Sequence, residues 1–193
     1  MIIGVCGLIS SGKGTVADIL QSEHGFEKIS FADSLKDAVA AVFSWDRELL
    51  EGDTDVSRMW RETKDTWWSK RLGIPDLTPR LVLQLWGTEV CRDNFHQDIW
   101  IASMERKIRS NINYVIPDTR FPNEIDMINR IGGEVWHVKR GPNPNWFEQY
   151  RMGGSPPSDI HPSEWQWTQA KFNQVIENNG TLDDLKNKVK SLV

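Results

Sequence analysis

The run Gly7-Leu8-Ile9-Ser10-Ser11-Gly12-Lys13-Gly14-Thr15 constrains this chain most, because of what stands on either side of it. Met1 to Cys6 reads as a buried strand, and Val16, Ile19 and Leu20 mark one side of the helix that follows. A phosphate-binding loop needs that setting. Gly7 and Gly12 admit backbone angles and close approaches that a side chain would block. Successive N–H groups then turn inward toward an anion, helped by the helix N-terminus. Lys13 can bridge outer phosphates as a mobile point charge. The strict pattern has Ser or Thr directly after the lysine; here Gly14 intervenes before Thr15, the candidate hydroxyl for Mg²⁺. The alternative is a glycine-rich turn that binds nothing, and the flanking strand and helix argue against it.

With 193 residues, the chain fits one α/β domain carrying an insertion. Its 23 Lys plus Arg against 27 Asp plus Glu give a net charge of −4, which disfavours stable binding to nucleic-acid backbone. Cys6 and Cys91 form neither a disulfide framework nor a Cys-x-x-Cys pair, and Cys6 reads as a small packed hydrophobe. The apolar start is too short for a membrane span and lacks a basic leader, so the expected setting is cytoplasmic. Of ten tryptophans, five fall between Trp45 and Trp86 and three between Trp146 and Trp167. They can be core and surface packing, or some can line a pocket for a flat base.

Further along, Phe26 to Phe31 is a second strand candidate. Leu35, Ala38, Val39, Val42 and Phe43 share a helix face. From Trp45 to about Ile74 the chain is charged and weakly periodic, as an inserted helical segment would be. Thr78 as N-cap and Pro79 in the first turn open a better helix with Val82, Leu85 and Trp86. Asn113 to Pro117 is a third strand, Ile125, Ile128 and Ile131 a short helix stopped by Gly132-Gly133, and Glu134 to Lys139 a fourth strand. Residues 140 to about 162 read as a long loop or flap. Gln174 to Glu177 is a fifth strand, and Thr181 with Asp184 resembles a capping box before the Leu182, Leu185, Val189, Leu192 stripe. This alternation predicts a mostly parallel sheet covered on both faces. The core is expected at 1–44, 96–139 and 173–193, with excursions at 45–95 and 140–172.

Three more runs carry candidate chemistry. Asp118-Thr119-Arg120-Phe121-Pro122-Asn123-Glu124 follows the third strand, at the sheet edge where ligands lie. Asp118 can hold Mg²⁺ through water, and Arg120 can clamp a phosphate. Otherwise Asp118 caps a helix and Arg120 makes a surface ion pair. In Phe31-Ala32-Asp33-Ser34-Leu35-Lys36, Asp33 is either an N-cap or a group facing a phosphoryl acceptor. Arg80, Gln84 and Arg92 recur near helical spacing, which is also what a solvated helix face gives. Lys139 and Arg140 can supply charge to a phosphoryl group or simply be solvated. His161-Pro162-Ser163-Glu164 invites a hydrolase reading but lacks a nucleophile elbow, so a surface loop is expected.

Taken in order, the loop Gly7–Thr15, Phe-Ala-Asp-Ser-Leu-Lys, Thr-Pro-Arg with Leu-Gln and Gly-Thr-Glu, Asp-Thr-Arg-Phe-Pro-Asn-Glu, His-Pro-Ser-Glu and the closing Ile176-Glu177-Asn178-Asn179-Gly180-Thr181 resemble the phage-type deoxynucleoside monophosphate kinases. The resemblance runs from Ile3 to about Leu185 and is weakest over 45–74. It implies a P-loop kinase fold with a five-stranded parallel sheet flanked by helices, a helical acceptor-binding insertion at 45–95 and a lid at 140–172. It implies ATP as phosphate donor, Mg²⁺ as cofactor and a deoxynucleoside monophosphate as acceptor, in a virus making its own DNA precursors in the host cytoplasm, and it suggests a homodimer. Lys13, Arg120 and Asp33 would be catalytic. Gly7, Ser10, Ser11, Gly12, Lys13, Gly14, Thr15 and Arg140 would bind ATP. Asp33, Lys36, Arg80, Gln84, Glu89, Arg92 and Arg120 would bind the acceptor, and Thr15 and Asp118 the metal, the latter through water. The competing readings are a ribonucleotide or dephospho-coenzyme A type of kinase, a P-loop ATPase or switch without a small acceptor, and a non-catalytic interaction protein.

Overall fold

The computed structural model of the chain describes residues 1–155, 159–160 and 162–193. Strands β1 (Ile2–Cys6), β2 (Glu27–Lys28), β3 (Tyr114–Ile116), β4 (Glu134–Lys139) and β5 (Gln174–Glu177) form one sheet in the order β2-β3-β1-β4-β5, with every pairing parallel. The helices are α1 (Lys13–His24), α2 (Asp33–Phe43), α3 (Asp55–Glu62), α4 (Thr66–Leu72), α5 (Pro79–Leu85), α6 (Ile99–Lys107), α7 (Pro122–Arg130), α8 (Asn145–Arg151) and α9 (Leu182–Lys190). The strand–helix alternation thus yields the α/β architecture that the apolar periodicity predicts.

Two compact units result, one of residues 1–30 and 107–193, the other of residues 31–106. In the first, β1 is central and covered on both faces, which is why it is apolar at consecutive positions: Ile3, Val5 and Cys6 are fully buried. Val16, Ile19 and Leu20 of α1 and Leu185 and Val189 of α9 join them in one core. Two sequence expectations need correction here. The strand expected over Phe26 to Phe31 is only Glu27–Lys28; as an edge strand it leaves both side chains exposed, while Phe26 before it is buried. The loop expected over residues 140 to 162 contains α8. Pro144 sits at its N-cap, and Phe147, spaced from Trp146 and Tyr150 as a helix requires, is buried.

Phe147 explains why that helix forms. It stacks on His137 of β4 at 5.8 Å, and Trp167 and Phe172 complete the cluster around the imidazole at 5.1 and 4.8 Å. Burial pushes the His137 pKa down to about 4, and the charges of Arg151, Lys139 and Lys13 add to this while Glu177 opposes it. The unfolded chain therefore takes up a proton near pH 6.5 that the folded chain refuses until about pH 4. Stability from this group is full above pH 6.5 and drains as pH falls toward 4, up to about 3 kcal/mol. Urea midpoints of the wild type and His137→Leu, compared at pH 7.5 and 4.5, should show a smaller pH-dependent drop in the variant. Equal drops would exclude His137 as the cause.

The second unit packs Leu35, Val39, Phe43, Leu50, Leu77, Val82 and Trp100. Phe43 is ringed by Trp45, Trp68 and Trp86 at 4.5, 4.8 and 5.7 Å, so much of the tryptophan content is packing. Three short helices begin on side-chain caps: Thr54 accepts from Ser57 N–H, Asp65 from Trp68 N–H and Thr78 from Leu81 N–H. Each cap contributes about 1 kcal/mol to elements too short to hold alone. After α5 the chain continues as a π-helical segment, Trp86–Asp93, whose Gly87 carbonyl accepts from the Trp100 indole at 2.9 Å. Among the described residues no helix is long and apolar enough to cross a membrane.

Candidate functional site

The predicted site residues divide between the two units. In the first, the chain leaves β1 at Gly7 and enters α1 at Lys13. Gly7 has φ 154°, and a side chain there would collide with the Val138 carbonyl of β4. Ser10 adopts φ 61° without being glycine, a local strain of the kind that collects at ligand sites. Gly12, at φ 104°, is the N-cap of α1, supplies no side-chain cap, and has no acidic residue in the turn after it. The first N–H groups of a twelve-residue helix thus have no side-chain cap, an arrangement that suits an anion. Asn178, after β5, donates to the Ser11 carbonyl at 2.8 Å and braces the loop from the side.

Lys13 folds over this loop, donating to the carbonyls of Gly7 and Leu8 at 2.8 and 2.9 Å. Burial pulls its pKa down to about 8, the charge of Arg120 pulls the same way, and Glu164 opposes them. The charges of Lys13 and Arg120 thus act on each other. Ser11 is 2% exposed and its hydroxyl has no partner among the described residues. An uncapped helix end, an orphaned hydroxyl and a desolvated lysine fit a polyphosphate.

Arg120 is fixed at both ends. Its backbone N–H and that of Phe121 donate to the carboxylate of Glu124, which is 2% exposed, at 2.8 and 3.0 Å. Its guanidinium meets Glu164 at 2.5 Å. Capping of α7 falls to Glu124, with Phe121 at the N-cap position, so Asp118 is not the helix cap that the sequence left open. Asp118 instead accepts from the Ser30 hydroxyl at 2.5 Å. Thr15 is partly exposed in the first turn of α1. No cluster of three or more potential metal-ligating side chains occurs among the described residues. That donor set suits Mg²⁺, which takes one or two protein ligands and fills its shell with phosphate and water. Arg140 is exposed beyond β4, and Lys139 pairs with Glu177 at 3.3 Å. Glu164, read as part of a surface loop, has only 19% of its side chain exposed; His161 lies outside the described residues.

In the second unit, Ala32 and not Asp33 is the N-cap of α2. Asp33 and Lys36 belong to an ion-pair network that the sequence did not reveal. Lys36, 11% exposed at its side chain, binds Glu51 at 2.5 Å. Arg47 binds Glu51 as well, together with Asp37 at 2.6 Å and Asp33 at 3.5 Å. The main-chain carbonyl of Glu51 accepts from Arg61 at 3.0 Å. Among the described residues Arg61 pairs with no carboxylate and its Nε has no acceptor; desolvation and the nearby charge of Arg80 hold its pKa below the usual guanidinium range, against the charges of Glu62 and Glu51. Arg80 is exposed and pairs with Glu62 at 3.2 Å. Gln84 lies one turn further along α5, and Glu89 and Arg92 on the π-helical segment. An open groove of about 340 Å³, lined by Phe43, Ser44, Trp45, Asp65, Trp67 and Trp68, gives this unit an aromatic surface. Arg61 was missed because Arg58-Met59-Trp60-Arg61-Glu62 looks like a solvated helix face; only its half-buried state and enclosed Nε distinguish it.

The family profile of deoxynucleotide monophosphate kinases matches residues 75–189, more than half of the chain. A putative deoxynucleotide monophosphate kinase of Acanthamoeba polyphaga mimivirus is 30% identical over 208 residues, covering 100% of this chain and 96% of that protein. The deoxynucleotide monophosphate kinase of Enterobacteria phage T4 is 27% identical over 117 residues, 58% of this chain and 44% of that protein. Among solved structures, a dephospho-CoA kinase from Campylobacter jejuni aligns with TM-score 0.50 at 15% identity, over 99% of this chain and 94% of that one. At that identity the likeness speaks for the fold alone.

Proposed function

The chain belongs to the deoxynucleotide monophosphate kinase family, and on that premise we propose that it moves the terminal phosphoryl group of ATP, with Mg²⁺, to the phosphate of a deoxynucleoside monophosphate. Within the family the reaction class is fixed: a small-molecule nucleotide is phosphorylated by a nucleotide donor. The observation that carries the reading to residues is the loop Gly7–Thr15, with its uncapped helix end, orphaned Ser11 hydroxyl and folded-over Lys13.

In the transfer, an oxygen of the acceptor phosphate forms a bond to the donor's terminal phosphorus as the bond from that phosphorus to its bridging oxygen breaks. The acceptor phosphate is already ionised, so no strong base is needed. The protein's task is placement and positive charge around the spreading negative charge. Ser10, Ser11, Gly12, Gly14 and Thr15 would hold the donor phosphates, with Arg140 near the nucleotide. Lys13 and Arg120 would face the transferring group. Thr15 and Asp118 would hold Mg²⁺, which supplies charge neutralisation at the phosphate oxygens. Asp33, Lys36, Arg61, Arg80, Gln84, Glu89 and Arg92 would bind the acceptor, with Arg61 and Arg80 on its phosphate. Lys36 and Arg47 already pair with the Glu51 carboxylate, whereas Arg61 meets only a main-chain carbonyl, which supports its guanidinium as a further group for a dianion. Residues 140–172 would close over the loop and exclude water, which otherwise hydrolyses ATP. A homodimer and a cytoplasmic location belong to the same reading and are supported by the resemblance.

The test is ADP formation from ATP and Mg²⁺ with dAMP, dGMP, dCMP, dTMP and their ribose forms offered one at a time. At least one deoxynucleotide should stimulate ADP release and appear as its diphosphate. Hydrolysis at one rate with or without any acceptor would end the reading in favour of an ATPase.

A further inference from the structure

Resting on that functional reading, we propose that Glu164 is a positioning residue that sets the orientation of the Arg120 guanidinium for phosphoryl transfer. The two residues stand 44 positions apart and meet through Arg120 Nη1 and Glu164 Oε1 at 2.5 Å. A long side chain with many rotamers is useful in transfer only when its head is fixed, because a misplacement of about 1 Å can reduce the rate on the order of 10²-fold. Glu124 fixes where Arg120 starts, through the two backbone N–H groups. Glu164 supplies that second point.

The turn that carries this carboxylate is itself well anchored, unlike the mount of an ordinary surface ion pair. It is a 3-10 turn, Pro162–Glu164, closed by the Trp165 N–H to the Pro162 carbonyl at 3.2 Å. The Trp165 indole donates to the Ile160 carbonyl at 2.9 Å and its ring packs edge-on against Tyr150 of α8 at 4.8 Å. Trp167, 1% exposed, ties the same segment to His137 on β4 and to Phe147. Glu164 is thus mounted on the aromatic cluster that rests on the sheet. A single carboxyl oxygen takes the pair, so Arg120 keeps further N–H groups for phosphate.

The experiment compares Glu164→Gln, Glu164→Ala, Arg120→Ala and the double variant Arg120→Ala/Glu164→Ala in steady-state transfer from ATP to the best deoxynucleotide, with a melting curve for each. Glu164→Ala should lower kcat about 10²-fold with KM for both substrates changed less than about threefold, since orientation and not ground-state binding is lost. Glu164→Gln, which keeps an acceptor without the charge, should recover part of that loss. The double variant should be no slower than Arg120→Ala alone, because Glu164 acts only through Arg120. A merely structural residue would lower the melting temperature and slow the double variant further, and that result overturns the proposal. So does unchanged kcat in both Glu164 variants. A Glu164→Ala enzyme that binds ATP more tightly or turns over faster would make Glu164 a competitor for Arg120, and overturns it as well. Wild-type protein that phosphorylates no acceptor overturns the functional reading, and with it this proposal; wild-type activity with indifferent Glu164 variants overturns the proposal alone.

Discussion

Replacing Lys13 with Ala is expected to reduce phosphoryl transfer on the order of 10³-fold while leaving the protein folded. The side chain gives up two hydrogen bonds, to the carbonyls of Gly7 and Leu8, but those bonds sit in a partly exposed loop where water can replace them. What disappears without replacement is a desolvated cation. Burial has already brought the Lys13 pKa down to about 8, a sign that the charge is held at a cost in the folded chain. Removing it relieves that cost, so the melting temperature should stay level or rise slightly. The rate falls because the transferring group develops charge that a preoriented cation opposes most strongly out of water. Lys13→Arg should rescue poorly, since a planar fork cannot fold back onto the loop as a compact ammonium does. ADP and diphosphate formation at saturating ATP and acceptor, beside circular-dichroism melts, separates the effects. A folded Lys13→Ala enzyme with full activity would remove the loop from the mechanism.

The legible parts of this molecule are those where local chemistry and burial agree. β1 is apolar at successive positions because it is central in a parallel sheet. The loop after it carries glycine where a side chain would strike β4, at Gly7, and where the backbone turns into α1, at Gly12, while Ser10 takes a left-handed angle that its sequence does not announce. Thr78-Pro79 and Thr181 with Asp184 start their helices as written, because caps act over three residues. The unread parts depend on distant neighbours. α8 hides in a proline- and glycine-bearing stretch, and becomes a helix because Phe147 has His137 and Trp167 to rest on. Glu164 looks like loop polarity until Arg120, far away in sequence, is found against it. Asp33 and Lys36 were visible as candidates, but Asp33 pairs with Arg47 and Lys36 is joined to Arg47 by the carboxylate of Glu51, both partners lying in the segment with the weakest periodicity.

Arg61 gives the second large effect, and its sign differs between stability and activity. A guanidinium with an enclosed Nε normally has a carboxylate, whereas this half-buried one has a backbone carbonyl, an Nε with no acceptor among the described residues and a second arginine whose charge adds to its discomfort. Such a group destabilises the chain on its own and becomes favourable only when an anion arrives. Arg61→Met, which keeps most of the volume, should therefore leave the melting temperature unchanged or raise it. The same substitution should lower kcat/KM for the deoxynucleoside monophosphate about 10²-fold, the worth of two charge-assisted hydrogen bonds at about 1.5 kcal/mol each. ATP hydrolysis without acceptor should not change, because the donor loop is built from other residues. Arg61→Lys should restore little, since one ammonium cannot reproduce two parallel N–H groups on a phosphate. Added deoxynucleotide should raise the melting temperature of the wild type and fail to do so for Arg61→Met, which reads binding without turnover. A variant that loses stability and keeps acceptor-dependent activity would make Arg61 a structural strut under Glu51, and the acceptor's phosphate would then have to be held by other cations.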